Sequence, residues 1–378
     1  MLCLAPTQTG RTQIMKIGIV GLPYVGKTSI FNALTGAEAD IGSYTSGSKS
    51  NIRSVTVPDE RLDVLTKVFQ AKKVTPTTIE YTDIIGMSRG DVDRGSFEAS
   101  LIADLRQVDA IAHVVRFFED DTVPHVDGDV NPMRDIETID LELIFADLQI
   151  IDRRLERLGK ELRTKRDRTL EHQQNVLETC KNALENGIMI RELKISDENK
   201  KTIRGYQFLT QKPMLTICNI GEDQINQSDQ IIRSYIEHHT EKPSTEIFVL
   251  SAKLEMEIAQ LAPAEASIFL EEMGLQESTL NRFIQMSYQL LRLITFFTCT
   301  GMDELRAWTI QHGITAVEAA GLIHTEMAQG FIRAETIHWS ELVEVESLIN
   351  AKEKGLLRLE GKGYLVQDGD ILTIRFSV

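Results

Sequence analysis

The chain has 378 residues, with 41 basic and 56 acidic side chains and a formal net charge of −15. Its apolar fraction of 42% and charged fraction of 26% are those of an ordinary globular protein, and its length exceeds what one core usually serves, so two or three domains are expected. The acidic balance excludes a protein that coats nucleic acid by bulk electrostatics, so no DNA partner is expected, and the short apolar runs give no reason to expect a membrane partner.

Cys3, Cys180, Cys218 and Cys299 stand far apart without metal-ligand spacing, which argues against structural zinc and against a disulfide framework. The opening MLCLAPTQTGRTQ lacks the charged start and apolar run of a secretion signal. Met15, just before the first strand, is an alternative start, and the expected location is cytoplasmic.

Strand candidates follow at 16–20, 52–57, 78–82 and 110–115, with an amphipathic run over 29–35 after the first. The stretch 110–115 is nearly all apolar, as a buried parallel strand should be. Strand and helix alternating in this way predict a doubly wound α/β sheet. From Ile139 the texture changes. Leu141, Ile144, Leu148, Ile151, Leu155, Leu158 and Leu162 recur at three- and four-residue spacing, predicting a long amphipathic helix, and a second helix runs over 172–186 with Gly187 as its stop. Strand patterns then return at 214–218 and 247–250, so the helical arm is inserted within the α/β domain. From Leu293 a separate small α+β module is expected, with strands at 307–310, 330–334 and 371–376, a helix over 316–324, and a strand with a tight turn over 364–370. Trp308 and Phe331 read as its core, and His113 as a residue within the sheet.

Gly21-Leu22-Pro23-Tyr24-Val25-Gly26-Lys27-Thr28 fits G-x-x-x-x-G-K-[ST] between a strand and a helix, with Ser29 next. Glycines let backbone N–H groups point inward at phosphate oxygens, and the helix adds its positive end. Lys27 supplies a point charge for the β/γ-phosphates, and the Thr28 hydroxyl is a Mg²⁺ ligand. Asp83, closing a later strand and followed by Ile84-Ile85-Gly86, is the second metal-side residue, with the Gly86 N–H aimed at the γ-phosphate. For the base, a guanine-specific N-K-x-D loop is replaced by Asn219-Ile220-Gly221-Glu222, and Ser251-Ala252-Lys253 fits the further base-side loop. A carboxylate displaced by one methylene pairs poorly with guanine. On the residues alone the choice between ATP and GTP stays open, tilted away from GTP.

With these loops, the inserted helices and the tail motifs Arg306-Ala307-Trp308-Thr309-Ile310, Gly330-Phe331-Ile332-Arg333-Ala334 and Asp368-Gly369-Asp370, the chain resembles the Obg-like ATPase family of the YchF type, from about Met15 to Val378. The resemblance implies three parts: a P-loop nucleotide-binding domain over 15–138 and 212–291, a helical arm over 139–211, and a TGS-like β-grasp domain over 292–378. It further implies ATP preferred over GTP, slow hydrolysis, and a regulator associated with ribosomes and stress responses. It gives His125 a part in hydrolysis, since Met87 stands where other GTPases carry a water-orienting Gln; the alternative is a surface loop histidine.

Three departures from the family stand out. Tyr24 replaces an Asn tied to potassium stimulation, Gly47 falls at the switch Thr position with Ser46 and Ser48 beside it, and 91–96 lacks the glycine-rich second switch. Nucleotide binding should survive these changes, whereas a nucleotide-gated binding protein with weakened hydrolysis is the alternative to an ATPase. Within 152–168, eight basic residues sit among four acidic ones, fitting either rRNA phosphate or a solvated helix face with pairs such as Glu156–Lys160.

Overall fold

The computed structural model describes residues 15–36, 51–84, 99–238, 245–273, 275, 277–300 and 303–377. Gly86, Met87, the first switch segment up to Ser50 and the second over 91–96 lie outside the described residues. Contacts divide the chain into two compact units, one of Lys16–Arg53 with Tyr81–Phe283, the other of Met1–Met15, Ser54–Glu80 and Ile284–Val378. The strands are β1 (Lys16–Val20), β2 (Asn51–Thr56), β3 (Lys73–Thr75), β4 (Thr78–Asp83), β5 (Ala110–Arg116), β6 (Met214–Asn219), β7 (Thr245–Leu250), β8 (Leu293–Thr300), β9 (Glu304–Gln311), β10 (Phe331–His338), β11 (Arg358–Glu360) and β12 (Asp370–Phe376).

The first sheet runs in the order β2-β4-β1-β5-β6-β7. β1 pairs in parallel with β5, β5 with β6, and β6 with β7. β5 and β6 are buried at every position, which is why their sequences are mostly apolar on both faces and do not alternate. The order places the turn after β1 where neighbouring strands diverge, the usual ligand crevice of an open α/β sheet.

The long arm helix, Pro132–Thr164, starts seven residues before the Ile139 expected from the apolar stripe. Its beginning is set by a cap: the Asn131 side chain accepts from the Arg134 N–H, and Pro132 sits in the first turn where its missing N–H costs nothing. The return helix, Arg168–Glu185, likewise begins earlier than His172, where the Asp167 carboxylate accepts from the Thr169 N–H. Ile144, Ile151 and Leu158, seven residues apart, pack with Val176, Leu177, Cys180 and Leu184 in a core of their own. Buried Asp147 ties the long helix to the turn before β6 by accepting from the Thr210 N–H and hydroxyl at 2.8 Å, and to helix Ala99–Gln107 by accepting from Arg106 at 3.2 Å. Among the described residues no helix is long and apolar enough to cross a membrane.

The second sheet has the order β11-β10-β12-β8-β9-β3. Trp308 and Phe331 are core residues here, with Phe296, Ala319, Ala320 and Leu372. Stretch 364–370 is not the expected strand: Leu365 makes one isolated bridge to Thr315, and the tight turn survives with Gly369 at φ 85°. The residues leading into it satisfy the buried Asp370 carboxylate, through the Tyr364 hydroxyl and the Gln367 N–H, so the backbone serves a side chain and not a ladder. This unit also contains Ser54–Glu80. Helix Glu60–Phe69 buries Leu62 and Leu65 against Phe297, Leu305 and Ile337, and β3 pairs in parallel with β9. Chain order alone does not reveal that placement, because an apolar stripe says that a helix is covered, not by what.

Candidate nucleotide site

The turn after β1 takes its shape from two glycines. Gly21 has φ 153°, and a Cβ there would collide with the Val114 carbonyl oxygen of β5. Gly26, at φ 96°, leaves no room for a Cβ beside the Asn219 amide. Tyr24 adopts φ 64°, a left-handed conformation uncommon for an aromatic residue, and remains 54% exposed. Helix Lys27–Thr35 starts directly after Gly26 with no side-chain cap, so its first N–H groups are left for an anion.

Lys27 folds back over this turn, its Nζ donating to the Gly21 carbonyl at 2.9 Å and the Leu22 carbonyl at 2.7 Å. Burial lowers its pKa to about 8, and the nearby Asp83 charge opposes the drop. Asp83, at the end of β4, accepts from the Thr28 hydroxyl at 3.2 Å. Burial pushes its carboxyl up, against the pull of Lys27 and Thr28. One ammonium, one hydroxyl and one partly desolvated carboxylate thus converge at the mouth of an N–H-lined loop. Those donor types fit Mg²⁺, which takes a hydroxyl directly and a carboxylate directly or through water.

A cavity of about 1010 Å³ opens beside this loop. Of the expected site residues, Tyr24, Gly26, Lys27, Thr28 and Ser29 line one side, and Asn219, Ile220, Glu222, Ser251 and Ala252 the other. Gly21, Pro23 and Val25 build the loop without lining the cavity, Asp83 stands behind Thr28, and Gly86 lies outside the described residues. Asn219 is engaged by backbone at both ends of its amide. Its Nδ2 donates to the Val25 carbonyl at 2.8 Å and its Oδ1 accepts from the Ala252 N–H at 2.9 Å, so it joins the phosphate loop to the base-side loop. Glu222 is paired with Lys253 Nζ at 3.1 Å on the cavity rim.

Sequence reasoning missed Phe118, Glu119, Asp120 and Val123, which extend the wall from the loop after β5. That loop is hung on Arg116, whose buried guanidinium donates to the carbonyls of Phe118, Asp120, Val123 and Pro124 and lies 4.4 Å from the Phe118 ring centre. Met256, Glu257 and Gln260 complete the wall from helix Ala252–Gln260. Their three- and four-residue spacing after Ala252 was the available signal, once Ser251 is recognised as that helix's cap. His125 does not line the cavity. Its Nε2 lies 3.0 Å from Asp135 Oδ2 in the first turn of the long arm helix, and its Nδ1 accepts from the Asp127 N–H at 3.2 Å.

Comparison with known proteins agrees with this architecture. The family model MMR_HSR1, described as "50S ribosome-binding GTPase", matches residues 16–151. YchF-GTPase_C, described as "Protein of unknown function (DUF933)", matches residues 293–377. The "Ribosome-binding ATPase YchF" of Bacillus subtilis is 42% identical over 367 residues, covering 96% of this chain and 99% of that protein. The protein of the same name from Escherichia coli O157:H7 is 40% identical over 364 residues, covering 96% and 99%. The solved structure of the Schizosaccharomyces pombe YchF GTPase superposes with a TM-score of 0.84 at 30% identity, covering 98% of this chain and 100% of that one. Shared along nearly its whole length with these relatives, from the phosphate loop to the last strand, the chain belongs to the YchF family, with a P-loop GTPase-type domain and a YchF-type C-terminal domain.

Proposed function

We propose that the protein is a Mg²⁺-dependent P-loop nucleoside triphosphatase that binds ATP in preference to GTP and hydrolyses it slowly. The observation that carries this reading is the convergence of Lys27, Thr28 and Asp83 at one end of a cavity large enough for a nucleotide. Lys27 leaves the Gly21 and Leu22 carbonyls to meet the β- and γ-phosphates, and backbone N–H groups of the loop and of the first turn of helix Lys27–Thr35 take the remaining oxygens. Thr28 would hold Mg²⁺ directly and Asp83 from its outer shell; bound there, the ion neutralises charge building on the phosphates. Gly86 would meet the γ-phosphate, and His125 would order the attacking water.

The base preference is supported by the acid of the replaced N-K-x-D loop. Glu222 stands where that loop carries an Asp, its carboxylate carried one methylene further out and its Oε2 drawn to Lys253 at 3.1 Å, which displaces it from the place of a guanine-reading acid. Calorimetric titration with ATP and with GTP in Mg²⁺, followed by phosphate release from the parent and Lys27→Ala proteins, tests both claims. ATP should bind more tightly, and release should vanish in the variant. Equal affinities would remove the base preference, and release unaffected by Lys27→Ala would remove the site.

A second reading, a nucleotide-gated binding protein with weakened hydrolysis, is favoured by the position of His125 outside the cavity. Tight ATP binding with turnover no faster than the Lys27→Ala background would select it. We assign the three-part division at 138/139, 211/212 and 291/292 as nucleotide, arm and TGS-like functions, and place the protein in the cytoplasm as a ribosome-associated, stress-related regulator. The names of the bacterial relatives, ribosome-binding ATPases, support the ribosome partner. On the arm, Arg153, Arg163 and Arg166 are exposed and carry no ion pair among the described residues, which leaves them available for rRNA phosphate, although Lys160 is spent on Glu156 at 2.6 Å.

A further inference from the structure

The loop that follows β5 is held at two separate places. Its first half is hung on Arg116 and lines the cavity as far as Val123. Its second half is tied to the first turn of the arm helix. There the side chains of His125 and Asp135 are each 2% exposed and bonded at 3.0 Å. Arg134 donates through Nε and Nη2 to the other Asp135 oxygen at 3.2 and 3.1 Å, and through Nη1 and Nη2 to the Asp129 side chain and carbonyl.

The hydrogen bonds also assign the tautomer. Because Nδ1 accepts from the Asp127 N–H, the ring hydrogen sits on Nε2 and is donated to Asp135. His125, Asp127 and Asp135 bring ligand-type atoms within 4.8 Å of one another, as a cation site would. Arg134, however, already sets a fixed positive charge against both carboxylates, bonded to Asp135 and 3.6 Å from the Asp127 carboxylate. The arrangement is a buried clasp and not a metal cage.

We infer that Asp135 is a positioning residue that parks His125 outside the cavity, so that the protein hydrolyses nucleotide only when this clasp opens. This rests on the hydrolytic reading above, in which His125 orders water at the γ-phosphate. A bond to a carboxylate is about twice as strong as one between neutral groups, and both partners here are shielded from water, so the parked state is the resting one. Leaving it breaks one side-chain bond to Asp135 and one weak bond at Nδ1; the Arg116 anchor, which holds the carbonyls of Val123 and Pro124 just upstream, stays intact. Asp135 stands at the root of a helix of 33 residues whose far end is the arm tip, so a partner that shifts the arm would act on the clasp directly.

The test reads the histidine and the turnover separately. Diethyl pyrocarbonate modification of nucleotide-free protein, followed peptide by peptide by mass spectrometry, compares His125 with the exposed His312. In the parent, His125 should react at least tenfold more slowly than His312. In Asp135→Ala it should approach the His312 rate, with Asp135→Asn, which keeps the volume and a neutral acceptor, in between. Should the alanine variant fail to fold, the asparagine variant alone decides. In steady-state assays, kcat for ATP should rise at least twofold with KM unchanged within twofold, since the cavity wall is untouched. A His125 equally protected in parent and variants overturns the proposal, as does one set free with kcat unchanged or lowered. If no variant and no parent releases phosphate, the hydrolytic reading fails, and the clasp is then judged on the reactivity series alone.

Discussion

Asn219 and Val25, 194 residues apart, are joined by a 2.8 Å hydrogen bond from the Asn219 amide to the Val25 carbonyl, while the other end of the same amide accepts from the Ala252 N–H. A single buried side chain therefore fixes the distance between the phosphate loop and the base-side loop. Asn219→Ala leaves a buried carbonyl and a buried N–H without partners, at about 1–3 kcal/mol each. The variant should unfold about 2–4 kcal/mol more easily by urea titration and bind ATP at least about tenfold more weakly by calorimetry. Unchanged stability with unchanged affinity would mean that the two loops hold their spacing without it.

Lys27 makes ATP affinity and apo stability depend on pH in opposite senses. Burial lowers its folded pKa to about 8 from the ordinary 10.5. Between those values the unfolded chain keeps the proton that the folded one has released, so stability rises with pH across the window and the contribution is flat below it. The Lys27→Met protein should lack that rise when its unfolding is compared with the parent. Phosphate restores the ammonium, so above about pH 8 nucleotide binding takes up a proton and weakens as pH rises. Calorimetry at about pH 9 in buffers of different ionisation enthalpy should show uptake of about one proton.

Glu222 and Lys253 face each other on the cavity rim, with their side chains 40% and 71% exposed. A pair so exposed contributes about 0–1 kcal/mol to stability, and Glu222→Gln should leave the unfolding midpoint unchanged. Its effect belongs to recognition. Glu222→Asp shortens the reach to Lys253 and restores the acid of the guanine-reading loop, so the ATP-over-GTP ratio should fall about 3- to 10-fold in competition titrations. A ratio that does not move would place the base discrimination elsewhere in the wall.

The arm should respond differently at its core and at its surface. Leu177 is fully buried between the two helices, and Leu177→Ala should cost about 2–5 kcal/mol, read as early loss of hydrogen-exchange protection in 132–203. Reversing the charges of Arg163, Arg166 and Arg168 at the arm tip should leave folding and ATP binding intact. It should weaken co-sedimentation with ribosomes and flatten its salt dependence. Co-sedimentation unaffected by the reversal would remove the arm from that contact.

The phosphate loop was legible because its chemistry is local. Gly21, Gly26, Lys27 and Thr28 need only their spacing to be recognised, and the strand and helix on either side confirm the context. The apolar stripes of 110–115 and 141–162 were legible for the same reason, being periodic within one element. The helix starts were not, because Asn131 and Asp167 act as caps through single polar contacts outside the stripe. The wall formed by Phe118, Glu119 and Val123 was invisible, since nothing in a loop sequence says which way it folds around a buried arginine such as Arg116.

Family, sheet type and the phosphate-loop motif were legible in the sequence alone, because each rests on short-range patterns that steric and hydrogen-bonding rules constrain. Only the tertiary structure decided that Asn219 spans two loops, that His125 is clasped by Asp135 away from the cavity, and that Ser54–Glu80 packs with the C-terminal module. Those outcomes depend on which buried donors and apolar faces find one another across many residues of chain. No local pattern encodes that choice, since every alternative partner would have satisfied the same side chains.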